Sequence, residues 1–223
     1  MAKYTRIQVA QKMKETGLVP VFYHSDLDTA KEVLRASFAA GVRVFEFTNR
    51  GDFAHEVFAD LNKFAHRELP GLMLGIGSVM DAGTTALYLQ LGANFVVSPV
   101  LNAEMAVVCN RRKVLWSPGC GTLTEISRAH ELGAEVVKIF PGTQVGGPGF
   151  VKAVKGPCPW ASIMPTGGVA PTEENLRPWF EAGVTCVGMG SKLFSKELIA
   201  NKNFSALQEK IKNALDLVKK FQS

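Results

Sequence analysis

A glycine recurs at one kind of junction along this chain. Ala40-Gly41-Val42, Leu91-Gly92-Ala93, Leu132-Gly133-Ala134 and Ala182-Gly183-Val184 each follow a helical pattern and precede a short apolar run. Glycine just past a helix takes the left-handed conformation at no steric cost, so each junction turns the chain back into a strand. Successive junctions lie roughly 40–50 residues apart, room for two βα units. Strands alternating with helices must pair in parallel through right-handed crossovers.

Around these junctions the periodicity predicts eight strands, at residues 18–23, 42–47, 72–76, 95–98, 114–116, 136–140, 162–165 and 186–189. Helices are predicted over 27–40, 53–65, 82–91, 103–109, 123–132, 149–154, 173–182 and 204–221. A leading amphipathic helix over 5–16 ends at Gly17. Asp26, Asn102 and Thr172 stand where helix N-caps belong, and Thr122-Leu123-Thr124-Glu125 reads as a capping box. With 223 residues, 47% hydrophobic content and no Ser/Pro-rich or charge-rich linker, the chain reads as one domain over 1–223. The expected fold is α/β, a (β/α)8 TIM barrel with an N-terminal helix in 1–17 and a C-terminal one in 200–223. An open doubly wound sheet is the alternative.

Composition narrows the function classes. Cys109, Cys120, Cys158 and Cys186 show no C-x-x-C or Cys/His spacing, which argues against a zinc site or a disulfide scaffold and for free, mostly buried thiols. Of the four dispersed histidines only His24, at a predicted strand end, is placed to line a site. No metal and no cofactor is implied. The net charge of +5 and pI near 9.0 could mean nucleic acid. Lys and Arg are spread along the chain, however, and Arg111-Arg112-Lys113 and Lys219-Lys220 read as solvated turns and a helix end, so an anionic small substrate fits equally well. The apolar runs are too short to span a membrane, and Met1-Ala2-Lys3-Tyr4-Thr5-Arg6 leads into no apolar signal core, so a cytoplasmic location is expected.

One strand carries a misfit. Glu135-Val136-Val137-Lys138-Ile139-Phe140-Pro141 places a lysine inside a buried apolar run. An unpaired ammonium there costs several kcal/mol, so the group pairs or becomes a neutral amine, a nucleophile toward carbonyls. The bland reading is a lysine that ends an edge strand and snorkels to water. In the barrel register Lys138 shares parity with Val136 and Phe140, and Glu46 shares parity with Val44 and Thr48. Both therefore point inward near the mouth. Such a pair can be a core ion pair that satisfies itself or an acid–base pair. Ser162, Met164 and Thr166 share a face that runs into Gly167-Gly168. These glycines and Gly188-Met189-Gly190-Ser191 occupy the loops that often hold phosphate in barrels, with a short helix expected from Ser191. Gly146-Gly147 competes for that role or starts the next helix. Arg50 offers a fork for a carboxylate, and Ser78 a second donor. Pro99 and Phe140 pack in the core or wall a pocket.

The chain resembles the class I 2-keto-3-deoxy-6-phosphogluconate (KDPG) aldolases, also described as 4-hydroxy-2-oxoglutarate aldolases. The likeness runs from Leu18 to Phe194. It rests on Val19-Pro20-Val21, Gly41-Val42-Arg43-Val44-Phe45-Glu46-Phe47-Thr48-Asn49-Arg50, Gly75-Ile76-Gly77-Ser78-Val79, Ser98-Pro99, Pro118-Gly119, Val137-Lys138-Ile139-Phe140-Pro141 and Pro165-Thr166-Gly167-Gly168-Val169. The resemblance implies that Lys138 forms the Schiff base and Glu46 is the general acid/base. Arg50 would hold the pyruvyl carboxylate, with Ser78 where the family usually has threonine. Thr166 would recognise substrate, Gly167, Gly168, Gly190 and Ser191 would hold phosphate, and Pro99 and Phe140 would wall the pyruvyl methyl. It also implies a homotrimer without a metal. Asn49, Ser78, Lys192 and Thr143-Gln144-Val145 depart from the usual pattern and bear on the aldehyde half: gluconate or galactonate configuration, phosphorylated or not. Two other readings stand beside the lyase: a phosphate-binding isomerase or synthase with a cationic Lys138, and a non-catalytic metabolite-binding barrel.

Overall fold

The computed structural model describes residues 2–222. The first helix, α1 (Arg6–Thr16), starts in a capping box in which Thr5 and Gln8 each accept from the other's N–H, and it ends on a left-handed Gly17. There follow β1 (Leu18–Phe22), α2 (Leu27–Ala39), β2 (Val44–Thr48), α3 (Ala54–Glu68), β3 (Met73–Gly77), α4 (Ala82–Gln90), β4 (Phe95–Val97) and α5 (Ala103–Arg112). The second half runs β5 (Leu115–Ser117), β6 (Gly119–Cys120), α6 (Leu123–Glu131), β7 (Val137–Ile139), α7 (Gly147–Lys155), β8 (Ile163–Pro165), α8 (Glu173–Glu181), β9 (Val187–Met189), α9 (Lys196–Ala200) and α10 (Phe204–Phe221). Gly41, Gly92, Gly133 and Gly183 have φ of 111°, 89°, 83° and 90°, the left-handed turn their sequence context demands.

All strands pair in parallel. One six-stranded sheet, in the order β5-β4-β3-β2-β1-β9, forms a half-barrel, and β6-β7-β8 form a second ladder. The order never reverses about the first strand, as a doubly wound sheet does. The expected eight strands are thus nine segments in two ladders. The fifth is cut at Pro118, which has no N–H for the ladder. Its carbonyl still accepts from Lys138 N–H at 2.9 Å, and that of Ser117 from Ser98 N–H at 3.0 Å. On the far side a single bridge, Thr166 to Gly188, joins the ends of β8 and β9.

Strand alternation sorts the apolar residues into two layers. Val19, Val44, Met73, Phe95, Leu115, Val136 and Met164 fill the inside, joined from α1 by Val9 and Met13. Phe45, Phe47, Ile76, Val96, Val137, Ile139 and Val187 face outward and pack with the helices. Arg6 at the start of α1 is tied by an ion pair to Glu135 ahead of β7, fixing α1 across the N-terminal end of the strands. α10 packs against α2, α8 and α9.

Several local expectations shift. β2 begins at Val44 rather than residue 42. Thr122 caps α6 by accepting from Glu125 N–H, but the Glu125 carboxylate takes Gly121 N–H, so the reciprocal half of the box is missing. Thr172 makes no side-chain cap bond. Gly146 and Gly147 serve the start of α7. No short helix starts at Ser191: one hydrogen-bonded turn back to Gly190 comes first, and α9 begins at Lys196. Cys109, Cys120 and Cys186 are buried, and burial pushes their thiols up to about 12. No helix among the described residues is long and apolar enough to cross a membrane.

Candidate active site

Lys138 lies mid-strand in β7, paired to Gly119 on one side and Met164 on the other, and is 5% exposed. Central placement rules out the snorkelling edge lysine. Glu46, mid-strand in β2, is 1% exposed, and Lys138 Nζ stands 3.9 Å from Glu46 Oε1. That is too far for a hydrogen bond, and neither Glu46 oxygen has a partner among the described residues. Space for the carboxylate comes from Gly77 of the adjacent β3, where a Cβ would overlap it.

The electrostatics follow from this burial. Desolvation raises the Glu46 carboxyl above its ordinary range, against the opposing pull of Lys138 and Arg50. Desolvation likewise lowers the Lys138 ammonium, with Arg50 adding to the effect and Glu46 opposing it. Both groups are therefore driven toward neutral forms, an amine beside a carboxylic acid. The Phe140 ring lies under Nζ, 5.0 Å to its centroid.

Beyond the ends of β2 and β3 the backbone aims a second cation. Arg50 donates from Nε to Ser78 Oγ at 3.3 Å, and Ser78 takes a left-handed φ of 59° as the chain leaves β3. Asn49 is held twice: its N–H donates to Gly77 O at 2.8 Å, and its Oδ1 accepts from Tyr88 Oη at 2.9 Å. Burial pushes the Tyr88 hydroxyl up to about 12, so it remains a donor. The departure at Asn49 thus has a local reason, a polar anchor for the turn carrying Arg50.

A cavity of about 610 Å³ opens over this end of the strands. Arg50, Phe140, Thr166, Gly167, Gly168, Gly190 and Ser191 line it, while Lys138 and Glu46 are buried below the lining and Ser78 is reached through Arg50. Pro99 is not among the residues that line this cavity; its backbone fills the place where a Cβ of Gly119, the β6 partner of Lys138, would be. Thr166 Oγ1 is buried without a partner among the described residues, in space left by Gly188, where a Cβ would collide with it. The N–H groups of Gly168, Ser191 and Lys192 donate to no protein acceptor among the described residues, and no aspartate or glutamate lines the cavity. His24 lines it, as its strand-end position suggests. Phe22, Phe194, Lys196 and Ile199 also line it and were not singled out in the sequence; Lys196 and Ile199 sit on α9, too short for a periodic signal. Among the described residues, no group of His, Cys, Asp and Glu side chains is placed to hold a metal ion.

The family model described as KDPG and KHG aldolase matches residues 9–210. The chain belongs to that family. KDPG and KHG aldolases are carbon–carbon lyases. Similar members include the 2-dehydro-3-deoxy-phosphogluconate aldolase of Haemophilus influenzae, 29% identical over 97% of this chain and 99% of its own. The KHG/KDPG aldolase of Escherichia coli is 28% identical over 93% and 95%. Among solved structures, a KDPG aldolase from Legionella pneumophila, with pyruvate captured at low pH as a covalent carbinolamine, superposes with a TM-score of 0.83. It is 27% identical over 92% of this chain and 96% of its own.

Proposed function

We propose that the chain is a class I aldolase that cleaves 2-keto-3-deoxy-6-phosphogluconate to pyruvate and glyceraldehyde 3-phosphate, and that the same site splits 4-hydroxy-2-oxoglutarate to pyruvate and glyoxylate. The observation that carries this reading is the buried Lys138–Glu46 pair, 3.9 Å apart beneath the cavity and driven by desolvation toward amine and acid. In that state Lys138 Nζ adds to the C2 ketone as a neutral nucleophile. Glu46 gives its proton to the departing hydroxyl, and water leaves to form the iminium. The carboxylate so formed takes the proton of the C4 hydroxyl, directly or through water. The C3–C4 electron pair flows into the iminium, and the aldehyde departs from an enamine. Glu46 returns the proton to C3, and water then adds to the new iminium and releases pyruvate and Lys138.

Arg50 and Ser78 take the pyruvyl carboxylate in this reading, Phe140 packs the methyl, and Thr166 Oγ1 meets a substrate oxygen. Gly167, Gly168, Gly190 and Ser191 take the phosphate on backbone N–H groups. A cationic Lys138, as an isomerase or a binding barrel requires, is disfavoured by its burial.

The same proposal extends to the architecture. We read β5 and β6 as one strand broken at Pro118, and the Thr166–Gly188 bridge as the closing seam, which makes a single-domain (β/α)8 barrel over 1–223. A homotrimer, as the family resemblance implies, is part of this reading; exposed Phe53, Met80, Leu87, Val100, Val107 and Leu123, carried from the β2 loop to α6, offer apolar contact surface, with Ile7 and Trp160 exposed elsewhere. Cytoplasmic location is part of this reading.

Borohydride trapping tests it. After incubation with pyruvate and reduction, the intact protein should gain one pyruvyl mass, mapped to Lys138, and cleavage of the phosphorylated acid should vanish in Lys138→Ala. Folded protein with no adduct would sink the proposal.

A further inference from the structure

Ser117 ends β5 fully buried, and its Oγ meets no hydrogen-bond partner among the described residues. A buried hydroxyl left alone is costly, so its place needs a reason. Leu115 fills the inside and Trp116 faces the helices, so the two-residue strand period turns Ser117 inward. Ile76 pairs with Val96 and Val97 with Ser117, which sets Gly77, Val97 and Ser117 side by side along the inner wall. The Glu46 carboxylate lies against that same Gly77, and neither of its oxygens has a partner among the described residues. From Gly77 round to Lys138 the wall is built of β3, β4, β5 and β6. Ser117 is the one inward hydrogen-bonding side chain those strands carry, since Cys120 of β6 packs in the helix layer. Gly77 and Ser117 are two strands apart, about 10 Å between backbones at the usual strand spacing. Carboxylate and hydroxyl both reach inward from the wall, which leaves a span on the order of two hydrogen bonds between them.

We propose that Ser117 is a positioning residue for Glu46, its hydroxyl joined to the carboxyl group through one internal water. The inference rests on the aldolase reading, in which Glu46 alternates between acid and carboxylate. A hydroxyl without a fixed partner suits that alternation: it turns its O–H toward the water when Glu46 is ionised and accepts from the water when Glu46 is protonated. A backbone N–H could serve only the ionised form. An internal water makes about three hydrogen bonds, and the two Glu46 oxygens with Ser117 Oγ supply that number. The link favours the carboxylate most, at the stage when Lys138 is bonded to substrate and Glu46 takes the C4 hydroxyl proton. Few charged groups compete for the same effect. Lys138 from β7 and Arg50 from the β2 loop act on the Glu46 charge, and the strands on either side of Glu46, β1 and β3, carry no titratable residue. Val97 and Gly119 beside Ser117 do not titrate either.

The test compares the full chain with Ser117→Ala and Ser117→Thr. Borohydride trapping with pyruvate is followed across pH, and kcat and KM are measured for 2-keto-3-deoxy-6-phosphogluconate. Ser117→Ala removes a donor that favours the carboxylate, so the falling limb that belongs to Glu46 should move to higher pH. Its kcat should fall roughly 10-fold while KM holds, because the base is less well placed and binding groups are untouched. Ser117→Thr keeps the hydroxyl and should keep the limb where the wild type has it. A limb at the wild-type pH in Ser117→Ala, whatever stability the variant loses, overturns the role. A limb displaced alike in Ser117→Ala and Ser117→Thr assigns the effect to packing and overturns it too. In both cases adduct formation by the wild type leaves the aldolase reading standing; a folded wild type that forms no adduct sinks that reading, and this role of Ser117 with it.

Discussion

Gly77 and Glu46 occupy neighbouring strands so closely that a Cβ on the glycine would overlap the carboxylate. The glycine is therefore part of how Glu46 is aimed at Lys138. Gly77→Ala should lose about 1–3 kcal/mol of stability through overpacking and slow pyruvate trapping at least ten-fold. Denaturant midpoints and trapping rates measure the two effects. A trapping rate equal to the wild type would show that Glu46 does not need this space.

The pH dependence of trapping follows from the two opposed shifts. On the proposed mechanism Lys138 reacts as the free amine, so the rising limb should mark its pKa, lowered from the ordinary 10.5. Glu46 serves as an acid, so the falling limb marks its pKa, raised from the ordinary 4.5. The rising limb should lie below the ordinary lysine value and the falling limb above the ordinary glutamate value. Glu46→Gln should remove the falling limb and slow the reaction by about 10²–10⁴-fold. Persistence of the falling limb in Glu46→Gln would assign it to another group.

The same pair weakens the fold near neutral pH. A raised Glu46 gives stability present at low pH and lost as pH rises through its folded pKa. A lowered Lys138 gives stability present at high pH and lost as pH falls through its own. Around neutrality the wild type therefore carries a cost from one or both. Lys138→Met combined with Glu46→Gln should be more stable than the wild type by roughly 1–4 kcal/mol and should show a flatter stability profile with pH. Thermal denaturation across pH 5–9 checks this, and a double variant less stable at every pH would refute it.

Tyr88 and Asn49 offer a test of positioning. Tyr88→Phe removes the 2.9 Å bond and leaves Asn49 Oδ1 without that donor. The turn bearing Arg50 should loosen, with KM rising several-fold while kcat holds, and with a stability loss of about 1 kcal/mol. Direct contact between Tyr88 and the reacting atoms would lower kcat instead.

The sequence carried the alternation of elements and the inward direction of the reacting pair, because both are set by short-range rules. Glycine past a helix end and the two-residue strand period place Gly41, Glu46 and Lys138 without knowledge of the whole. What it did not carry depends on distant neighbours. Pro118 lies between two ladders, with Ser98 bonded to Ser117 and Lys138 to Pro118, and the Pro99 backbone packs against Gly119 on another segment. α9 is too short for periodicity to announce, and Lys196 arrives at the cavity with it. Thr122 satisfied the letters of a capping box, yet Gly121 offered Glu125 a competing N–H.

The helix laid across the N-terminal end gives the reaction a direction in time. With Val9 and Met13 seated against Val44 and Val136, the inner space is blocked on one side, and traffic passes through the mouth where Arg50 and Lys192 stand. The substrate must therefore go in keto end first, like a card into a slot. On the proposed mechanism the aldehyde then sits nearer the opening and goes first, and pyruvate, still bonded to Lys138 at the closed end, follows. Pyruvate should then accumulate as the last-held product and compete with fresh substrate for an occupied lysine.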